Sequence, residues 1–338
     1  MDYLNSNKIQ VWKGCHCYKK ARGYRCNLYQ PTTLQLFARW VDWTHLIYSG
    51  VFVTYSIVAK CKQTGQFGVG IQSHFFASGD ACWAKAGIGV VVTQAMALMD
   101  HGPLGLELLE QGLSASAALE KRLEADPESE IRQVAIVDKD GLVAVHTGTS
   151  TIPSAGHVLG DGFSCQANLM WNDMIPTKMA EVFSKKDGVL SERILAALHA
   201  GQEEGGDLRG MQSARILVVK PEITEKSWEE KLVDIRIDDH PEPLDELGRL
   251  LKVHSMYTEF QEGGYELDLE ESEMETYPEI AFWTGVNLAV NGDLESGKKL
   301  INIALNNHDG WIELLHRCSD INFFGIDEVL VQNLLSDV

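Results

Sequence analysis

Residues 51–60 read VFVTYSIVAK, and residues 67–75, after a polar turn centred on Gly65, read FGVGIQSHF. β-Branched and aromatic residues on both sides of a glycine turn predict a β-hairpin whose first strand begins near Thr54. Side chains alternate across a strand, so Thr54 and Ser56 are predicted to share one face of the sheet. An antiparallel sheet built on this hairpin is the starting point of the predicted fold.

Two glycines, Gly68 and Gly70, leave one face of the second strand nearly bare. Glycine inside a strand marks either a close approach to the backbone or tight packing against a neighbour. Tight packing is the favoured interpretation of this face.

The segments that follow the hairpin alternate between strand and helix patterns in blocks. They are 87–97 (strand), 101–127 (two helices), 131–148 (a second hairpin), 156–170 (strand), 176–201 (helices), and 212–220 and 231–240 (strands). Within 101–127, Pro103 suits a first helical position, Gly112 ends the first helix and Ser114 caps the second. Hairpins with helices bunched between them predict antiparallel sheets with helices on their outer faces, a layered α+β domain.

Composition limits the classes of function. The 338-residue chain is 45% hydrophobic, with a formal net charge of −19. Binding to nucleic acid or to an anionic membrane depends mainly on Lys and Arg, so we expect neither partner. No apolar run long enough to span a bilayer is present. The acidic balance leaves small molecules or proteins as the expected partners, and a small-molecule substrate is predicted. The odd number of scattered cysteines, seven, suggests reduced thiols and a cytoplasmic protein.

Charge is unevenly distributed along the chain. Residues 1–53 hold seven Lys or Arg and two Asp, a balance of +5, which leaves −24 for the remainder. This extension shows neither regular strands nor a helical stripe. Its cluster Cys15, His16, Cys17 and Cys26 could bind zinc, but the C-x-C-x8-C spacing is not a familiar ligand pattern, and no metal or cofactor is expected.

The C-terminal part differs again in pattern. Residues 243–277 are predicted to form a helix and an acidic linker, and 278–338 a helical tail. The tail looks like one tetratricopeptide-like helical hairpin plus part of another. A single hairpin cannot stack into a binding superhelix, so packing on the main domain or on a dimer mate is favoured over peptide capture.

Polar residues cluster in three loops or strand ends, where functional sites concentrate. These residues are Asp161, Gln166 and Asn168; Asp207, Arg209, Gln212 and Ser213; and Arg236, Asp238, Asp239 and His240. Each cluster also has an ordinary structural interpretation as a turn, a loop or a helix-entry cap. No G-x-S-x-G elbow, H-x-x-x-H or paired C-x-x-C occurs, so neither a serine triad nor a metal site is indicated.

Seven segments together resemble the DUF1028 family, whose members are placed in the N-terminal-nucleophile (Ntn) hydrolase superfamily. The matching segments are TYSIVAK and TGQFGVGIQSHFFASG, AGIGVVVTQA, HGPLGLELLEQGLSA, EIRQVAIVD, GHVLGDGFSCQANLM, GGDLRGMQSARILVV and VDIRIDDHPEPLDELGRLL. The resemblance covers residues 54 to about 255. It implies a four-layer αββα sandwich of antiparallel sheets over 54–242. The tail from Pro278 resembles the helical tail of some members.

The resemblance implies a nucleophile at Thr54, because members begin Met-Thr and removal of the methionine exposes the threonine. A free α-amino group titrates near pH 8 and can act as base for its own hydroxyl. The product would be an acyl-ester that water cleaves, with Asn168 or Gln94 stabilising the oxyanion and Asp207 as a further catalytic candidate. The expected substrate-binding residues are Ser73, Asp161, Arg209, Gln212, Ser213, Asp239 and His240, with Arg209 holding a substrate carboxylate.

Thr54 is internal in the sequence, and an amide nitrogen is not basic. Either translation starts at Val53, so that residues 1–52 are a gene-model artefact, or the chain cleaves itself between Val53 and Thr54. If the extension is retained, this copy is inactive. Two hypotheses therefore stand: an amide hydrolase acting on C–N bonds other than peptide bonds, and a non-catalytic binding or assembly protein with a helical interaction tail. A homodimer is expected in either case.

Three residues depart from the family pattern. Asp80 replaces an apolar residue, Leu208 replaces a basic one, and His74 occupies the basic position before the paired phenylalanines. These changes bear on substrate class more than on fold.

Overall fold

The computed structural model describes residues 18–20, 23–25, 51–52, 54–265, 267 and 269–336. The chain divides into two compact units, residues 1–46 and 47–338. In the first unit, β1 (Tyr18–Lys20) and β2 (Gly23–Arg25) pair as antiparallel strands. The zinc candidates Cys15, His16, Cys17 and Cys26 lie outside the described residues.

The second unit contains a six-stranded sheet in which all neighbours are antiparallel. Its strands are β4 (Thr54–Lys60), β5 (Phe67–Ser73), β10 (Gly156–Gly160), β11 (Phe163–Ala167), β12 (Ser213–Val219) and β13 (Lys231–Ile237), in the order β10-β11-β4-β5-β12-β13. The predicted hairpin is confirmed as β4 and β5. The segment 156–170, predicted as one strand, is a hairpin of two, because Gly162 supplies the positive φ of the turn.

A five-stranded antiparallel sheet is built around the buried strand β7. Its strands are β3 (Val51–Phe52), β6 (Cys82–Lys85), β7 (Gly89–Met96), β8 (Arg132–Asp138) and β9 (Val143–Thr147). β8 pairs along one edge of β7, while β6 and β3 pair with successive parts of the other edge. The chain therefore leaves this sheet at Phe52 and begins the six-stranded sheet at Thr54.

Within residues 54–265, five helices surround the sheets, and the predicted signals for two of them are confirmed with small shifts. They are α1 (His101–Glu110), α2 (Ala115–Glu124), α3 (Ile175–Lys185), α4 (Leu190–Glu203) and α5 (Pro243–Glu262). α1 begins two residues before Pro103, Gly112 follows it with φ +90°, and Ser114 Oγ accepts from Ala117 N at 3.3 Å as the cap of α2.

Three apolar cores hold these elements together. One lies between the sheets, with Val69 and Val92 among its members. A second lies between the six-stranded sheet and α3, α4 and α5, and a third between the five-stranded sheet and α1 and α2. The tight packing predicted at Gly70 is confirmed, because a Cβ there would stand 2.3 Å from Ile194 Cγ2 of α4.

The C-terminal part is helical and has a core of its own. Its helices are α6 (Glu271–Thr276), α7 (Pro278–Val290), α8 (Leu294–Asn307), α9 (Gly310–Asp320) and α10 (Glu328–Leu334). Phe282, Ile301 and Leu315 are buried in that core. The segment predicted as an acidic linker contains α6, and its Met274 is buried against Phe260 of α5. Among the described residues, no helix is both long and apolar enough to cross a membrane.

Candidate functional site

A layer of polar side chains fills one end of the space between the two sheets. Its members are Thr54, Ser56, Gln94, Gln133, Ser164, Gln166 and Asn168, each no more than 1% exposed. The other end of the same space is the apolar core of valines and isoleucines. Polar groups at this depth are costly unless they are hydrogen-bonded, so each one calls for an account of its partners.

Thr54 is the first residue of β4 and lies at the centre of this layer. Its side chain is fully buried, and its Oγ1 has no hydrogen-bond partner. Opposite Thr54 in the register is Ser73 at the end of β5, and opposite Ser73 is Ser213 at the start of β12. Three hydroxyl residues therefore stand in one row across three adjacent strands.

The backbone carbonyl of Thr54 is held by three donors. Asn168 N donates to it at 3.1 Å, Asn168 Nδ2 at 3.3 Å and Gln94 Nε2 at 3.2 Å. Both side-chain amides also donate to Gln133 Oε1, at 2.5 Å from Gln94 and 3.2 Å from Asn168. With the whole chain intact, the N–H groups of Gln94 and Asn168 therefore fix the position of Thr54.

Gln133 on β8 connects this arrangement to the rest of the layer. Its Nε2 donates to Thr147 Oγ1 at 2.8 Å and to the carbonyls of Gly156 and Ala167 at 3.1 Å each. Gln133 was not predicted as a site residue. It stands at the start of the continuous apolar run Val134–Val137 of a fully buried strand, and a polar residue at the end of such a run carries no specific signal.

A second chain of hydrogen bonds runs beside the first. Gln166 Nε2 donates to Ser56 Oγ at 2.6 Å, and Ser56 Oγ donates to Gln94 Oε1 at 2.6 Å. Ser164 Oγ donates to Gln166 Oε1 at 2.8 Å. The sequence does carry a signal for these residues, because the polar side chains alternate as Thr54, Ser56 on one strand and Ser164, Gln166, Asn168 on the other.

Asp207 joins the loops next to this end of the sheet. Its buried carboxylate accepts from His74 N at 2.9 Å, from Arg209 Nη2 at 2.9 Å and from Arg209 Nε at 3.1 Å. The pKa of Tyr55 is raised well above its usual value. The main cause is the burial of the side chain, and the negative charge of Asp207 adds to it. The Arg209 guanidinium, expected to hold a substrate carboxylate, is bound here by a carboxylate of its own chain.

The remaining predicted binding residues fall into two groups. Ser213 Oγ donates to Phe75 O at 2.6 Å. Gln212 Nε2 donates to Asp239 Oδ1 at 3.0 Å, and the Gln212 carbonyl accepts from His240 N at 2.8 Å. These residues lie together at the start of β12, near Ser73.

Asp161 does not join that group. It sits in the exposed turn before β11, ion-paired with Lys62. Phe163 of β11 pairs with Ala59, five residues along β4 from Thr54, which is a distance of about 17 Å along the strand.

A separate buried ionic cluster lies on the outer side of the five-stranded sheet. His101 Nε2 is 3.1 Å from Asp126 Oδ2, and Arg132 Nε donates to the same oxygen at 3.0 Å. Burial alone would raise the pKa of Asp126, but the hydrogen bonds from His101 and Arg132 hold it well below its ordinary range. The cluster ties α1 and the end of α2 to the start of β8. No group of metal-binding side chains occurs among the described residues.

Comparisons with known proteins identify relatives of the domain. A crystal structure of a DUF1028 protein from Silicibacter pomeroyi matches with a TM-score of 0.53 and 26% sequence identity, covering 59% of this chain and 88% of that one. No curated protein matches the chain. The family model described as a family of unknown function, DUF1028, matches residues 54–247, more than half of the sequence, and the chain therefore belongs to the DUF1028 family.

Proposed function

We propose that residues 54–242 form an Ntn-type hydrolase domain that cleaves an amide or amide-like bond of a small molecule, with Thr54 as the nucleophile once its α-amine is free. Two face-to-face antiparallel sheets with helices packed outside each of them support the αββα assignment. The family match also begins at Thr54.

The observation that carries the proposal is the contrast between the two oxygens of Thr54. Its carbonyl receives three N–H groups, whereas its fully buried hydroxyl oxygen receives and gives no hydrogen bond. Most buried hydroxyls are paired, although Thr93 Oγ1 and Thr284 Oγ1 are buried and unpaired as well. What distinguishes Thr54 is the combination of the unpaired hydroxyl, the held carbonyl and its position as the first residue of β4. A nucleophile has a different requirement, because its oxygen must be positioned and still available to the reacting carbonyl.

The chemistry follows from the residue itself. The free amine removes the Oγ1 proton directly or through one water, and Oγ1 attacks the substrate carbonyl carbon. Collapse of the tetrahedral adduct breaks the C–N bond, and the leaving nitrogen takes the proton that the amine has held. Water then hydrolyses the ester, which returns the proton to Thr54 Oγ1 and releases the acid.

The α-amine of Thr54 must be freed before this chemistry can occur, and the path of the chain shows where that bond lies. Val51 and Phe52 pair with Met96 and Ala95 of β7, while Thr54 begins β4 in the other sheet. The bond before Thr54 therefore lies at the crossing between the sheets. Two routes would free the amine of Thr54 within the polar layer. One is self-cleavage at that bond, and the other is translation that starts at position 53 with methionine, followed by removal of that methionine.

Other residues take supporting roles in this proposal. Gln94 and Asn168 hold the nucleophile, and either could turn an N–H toward the oxyanion after the residue before Thr54 has gone. Ser73, Gln212, Ser213, Asp239 and His240 border the substrate site, with the Asp207–Arg209 pair beside them. Asp161 lies too far along the sheet to be included.

The decisive experiment measures intact mass and the N-terminal sequence of protein made from the natural gene with its own upstream region, followed by a screen of amide substrates. A chain that begins at Thr54 and loses turnover as Thr54→Ala supports the proposal. Thr93→Ala is the matched control, because Thr93 is equally buried and its Oγ1 is also unpaired. Turnover by a chain that begins at Met1, or undiminished turnover of Thr54→Ala, would remove Thr54 from the mechanism.

A second candidate is a non-catalytic binding or assembly protein. It is favoured by the engagement of the Arg209 guanidinium with Asp207 and by the separate core of the helical tail, which resembles a tetratricopeptide hairpin. A retained extension together with a defined dimer in light scattering supports this candidate.

A further inference from the structure

A small aromatic pocket lies between the loop after α5 and the helical tail. Its volume is about 80 Å³, and its aromatic walls are Tyr265, Trp283 and Phe324. The rest of the lining consists of Gly264, Val286, Asn287 and Val290. The Phe324 ring is 5.8 Å from the Tyr265 ring and 5.9 Å from the Trp283 ring, centroid to centroid, each at 61°. Edge-to-face contacts of this kind are usual between packed aromatic rings, and here the three rings also line the cavity.

The pocket is exposed and is built at a conformational cost. Tyr265 is 43% exposed and Phe324 is 56% exposed. Both residues have left-handed backbones, with φ of +65° and +54°, and so does Asn322 beside Phe324, at +51°. Bulky residues rarely adopt this conformation, and strain of this kind concentrates at binding sites. Burial of the rings in a core does not explain it here.

The segment of sequence that supplies Tyr265, Trp283, Val286 and Val290 is acidic. Between Lys252 and Lys298 the sequence contains eleven Asp or Glu residues and no Lys or Arg. Aromatic faces carry negative potential and attract cations, most strongly when the cation is desolvated. The acidic surroundings add attraction for any positive ligand.

We infer that this pocket binds the quaternary ammonium group of a small molecule or of a modified side chain. A primary ammonium would bring three N–H donors to a pocket whose side-chain acceptors are those of Asn287 and Tyr265, and it would lose most of its hydrogen bonds to water. A trimethylammonium group has no N–H to satisfy, carries a full charge and presents methyl groups to the rings. This site is independent of Thr54 and of the proposed hydrolase reaction.

The test is isothermal titration of the full chain with tetramethylammonium chloride, against sodium chloride as the salt control. We expect saturable binding in the millimolar range and at least a fivefold weaker affinity in each of Tyr265→Leu and Phe324→Leu, since leucine keeps the apolar contact and removes the aromatic face. Trp228→Leu is the matched control, because Trp228 is 75% exposed and lies outside the pocket.

A neutral ligand separates cation binding from simple apolar binding and requires no variant. Choline should bind at least fivefold more tightly than 3,3-dimethylbutan-1-ol, its uncharged carbon analogue. Equal affinity for the two, or no saturable binding of tetramethylammonium, would overturn the inference. A comparison of choline with a peptide containing trimethyllysine then identifies the source of the group, since the tighter ligand indicates whether it comes from a small molecule or from a protein.

Discussion

The polar layer between the sheets depends on a few residues that each satisfy several neighbours. Gln133 is the clearest case, because its one amide serves Gln94, Asn168, Thr147 and two backbone carbonyls. A buried partner left unsatisfied costs more than the same hydrogen bond contributes, about 1–3 kcal/mol for each group. The position of Thr54 is therefore set by a residue on the other sheet.

Replacement of Gln133 by Met tests this role at nearly constant side-chain size. We expect the free energy of unfolding to fall by about 3 kcal/mol, because several buried groups lose their partner at once. Urea denaturation of both proteins measures the difference. Gln111→Met is the control, since Gln111 is exposed at the end of α1 and its substitution should change stability by less than about 0.5 kcal/mol. A Gln133→Met protein as stable as the original would show that the layer does not depend on this amide.

At the scale of helices and strands, the packing of α4 on β5 is a close contact that glycine makes possible. Ile194 and Leu190 of α4 lie directly against the positions where Gly68 and Gly70 lack a side chain. The sequence allowed this to be predicted because two bare positions on one strand face are unusual. It did not indicate β6, whose four residues are too short to show a period, or the pairing of Val51–Phe52 with β7, which joins residues about 40 positions apart.

Gly70→Ala should destabilise the domain by about 1–3 kcal/mol, because the new methyl group would force α4 away from the sheet. Gly156→Ala is the matched control in β10. A Cβ at Gly156 meets no atom within 4 Å, so this variant should be unchanged or slightly stabilised. Thermal unfolding of the two variants side by side measures the contrast, and equal effects would contradict the packing argument.

The His101–Asp126–Arg132 cluster links two helices to β8 and predicts a pH dependence. The pKa of Asp126 is lower in the folded than in the unfolded chain, where it is about 3.9. Its contribution to stability is therefore complete above about pH 4 and is lost as pH falls further, through the folded pKa.

Asp126→Asn should destabilise the protein by about 3 kcal/mol at pH 7, because buried Arg132 is left with only the half-exposed Glu128, 3.3 Å away, as a charge partner. The difference from the unchanged protein should shrink when both are measured near pH 3. Asp140→Asn serves as the control, since Asp140 pairs with Lys139 at the surface and such pairs contribute little. A difference that is constant with pH would rule out the charged cluster.

For the whole molecule, both large sheets and all three cores around them are described with residues from Thr54 onward, apart from the two-residue strand β3. The fold class and most of these elements follow from hydrophobic periodicity. The pairing of Thr54 with Ser73 follows from the hairpin register, whereas Ser213 joins that row only through the long-range pairing of β12 with β5. The Asp207–Arg209 pair and the His101–Asp126–Arg132 cluster could not be predicted. Their residues lie in loops and at helix ends, and hydrophobic periodicity does not indicate how those segments run.

A chain that begins at Thr54 is therefore expected to fold on its own, with a cooperative thermal transition within a few degrees of that of the full chain. Removal of β3 takes away one short pairing at the edge of β7. Differential scanning calorimetry of the two proteins measures the comparison. A chain from Thr54 that unfolds without cooperativity would show that the extension is part of the fold, whatever its role in catalysis.

The chain crosses from one sheet to the other just before Thr54, and this crossing would keep such an enzyme inactive until it is cleaved. While residue 53 remains attached, the same short segment withholds the base from Thr54 and occupies the edge of β7 at Ala95 and Met96. Cleavage before Thr54 would then have two effects. It would create the free amine, and it would allow β3 to leave, so that the backbone of Ala95 and Met96 beside Thr54 becomes unpaired. A single cleavage would therefore be enough to convert an inactive precursor into an active enzyme.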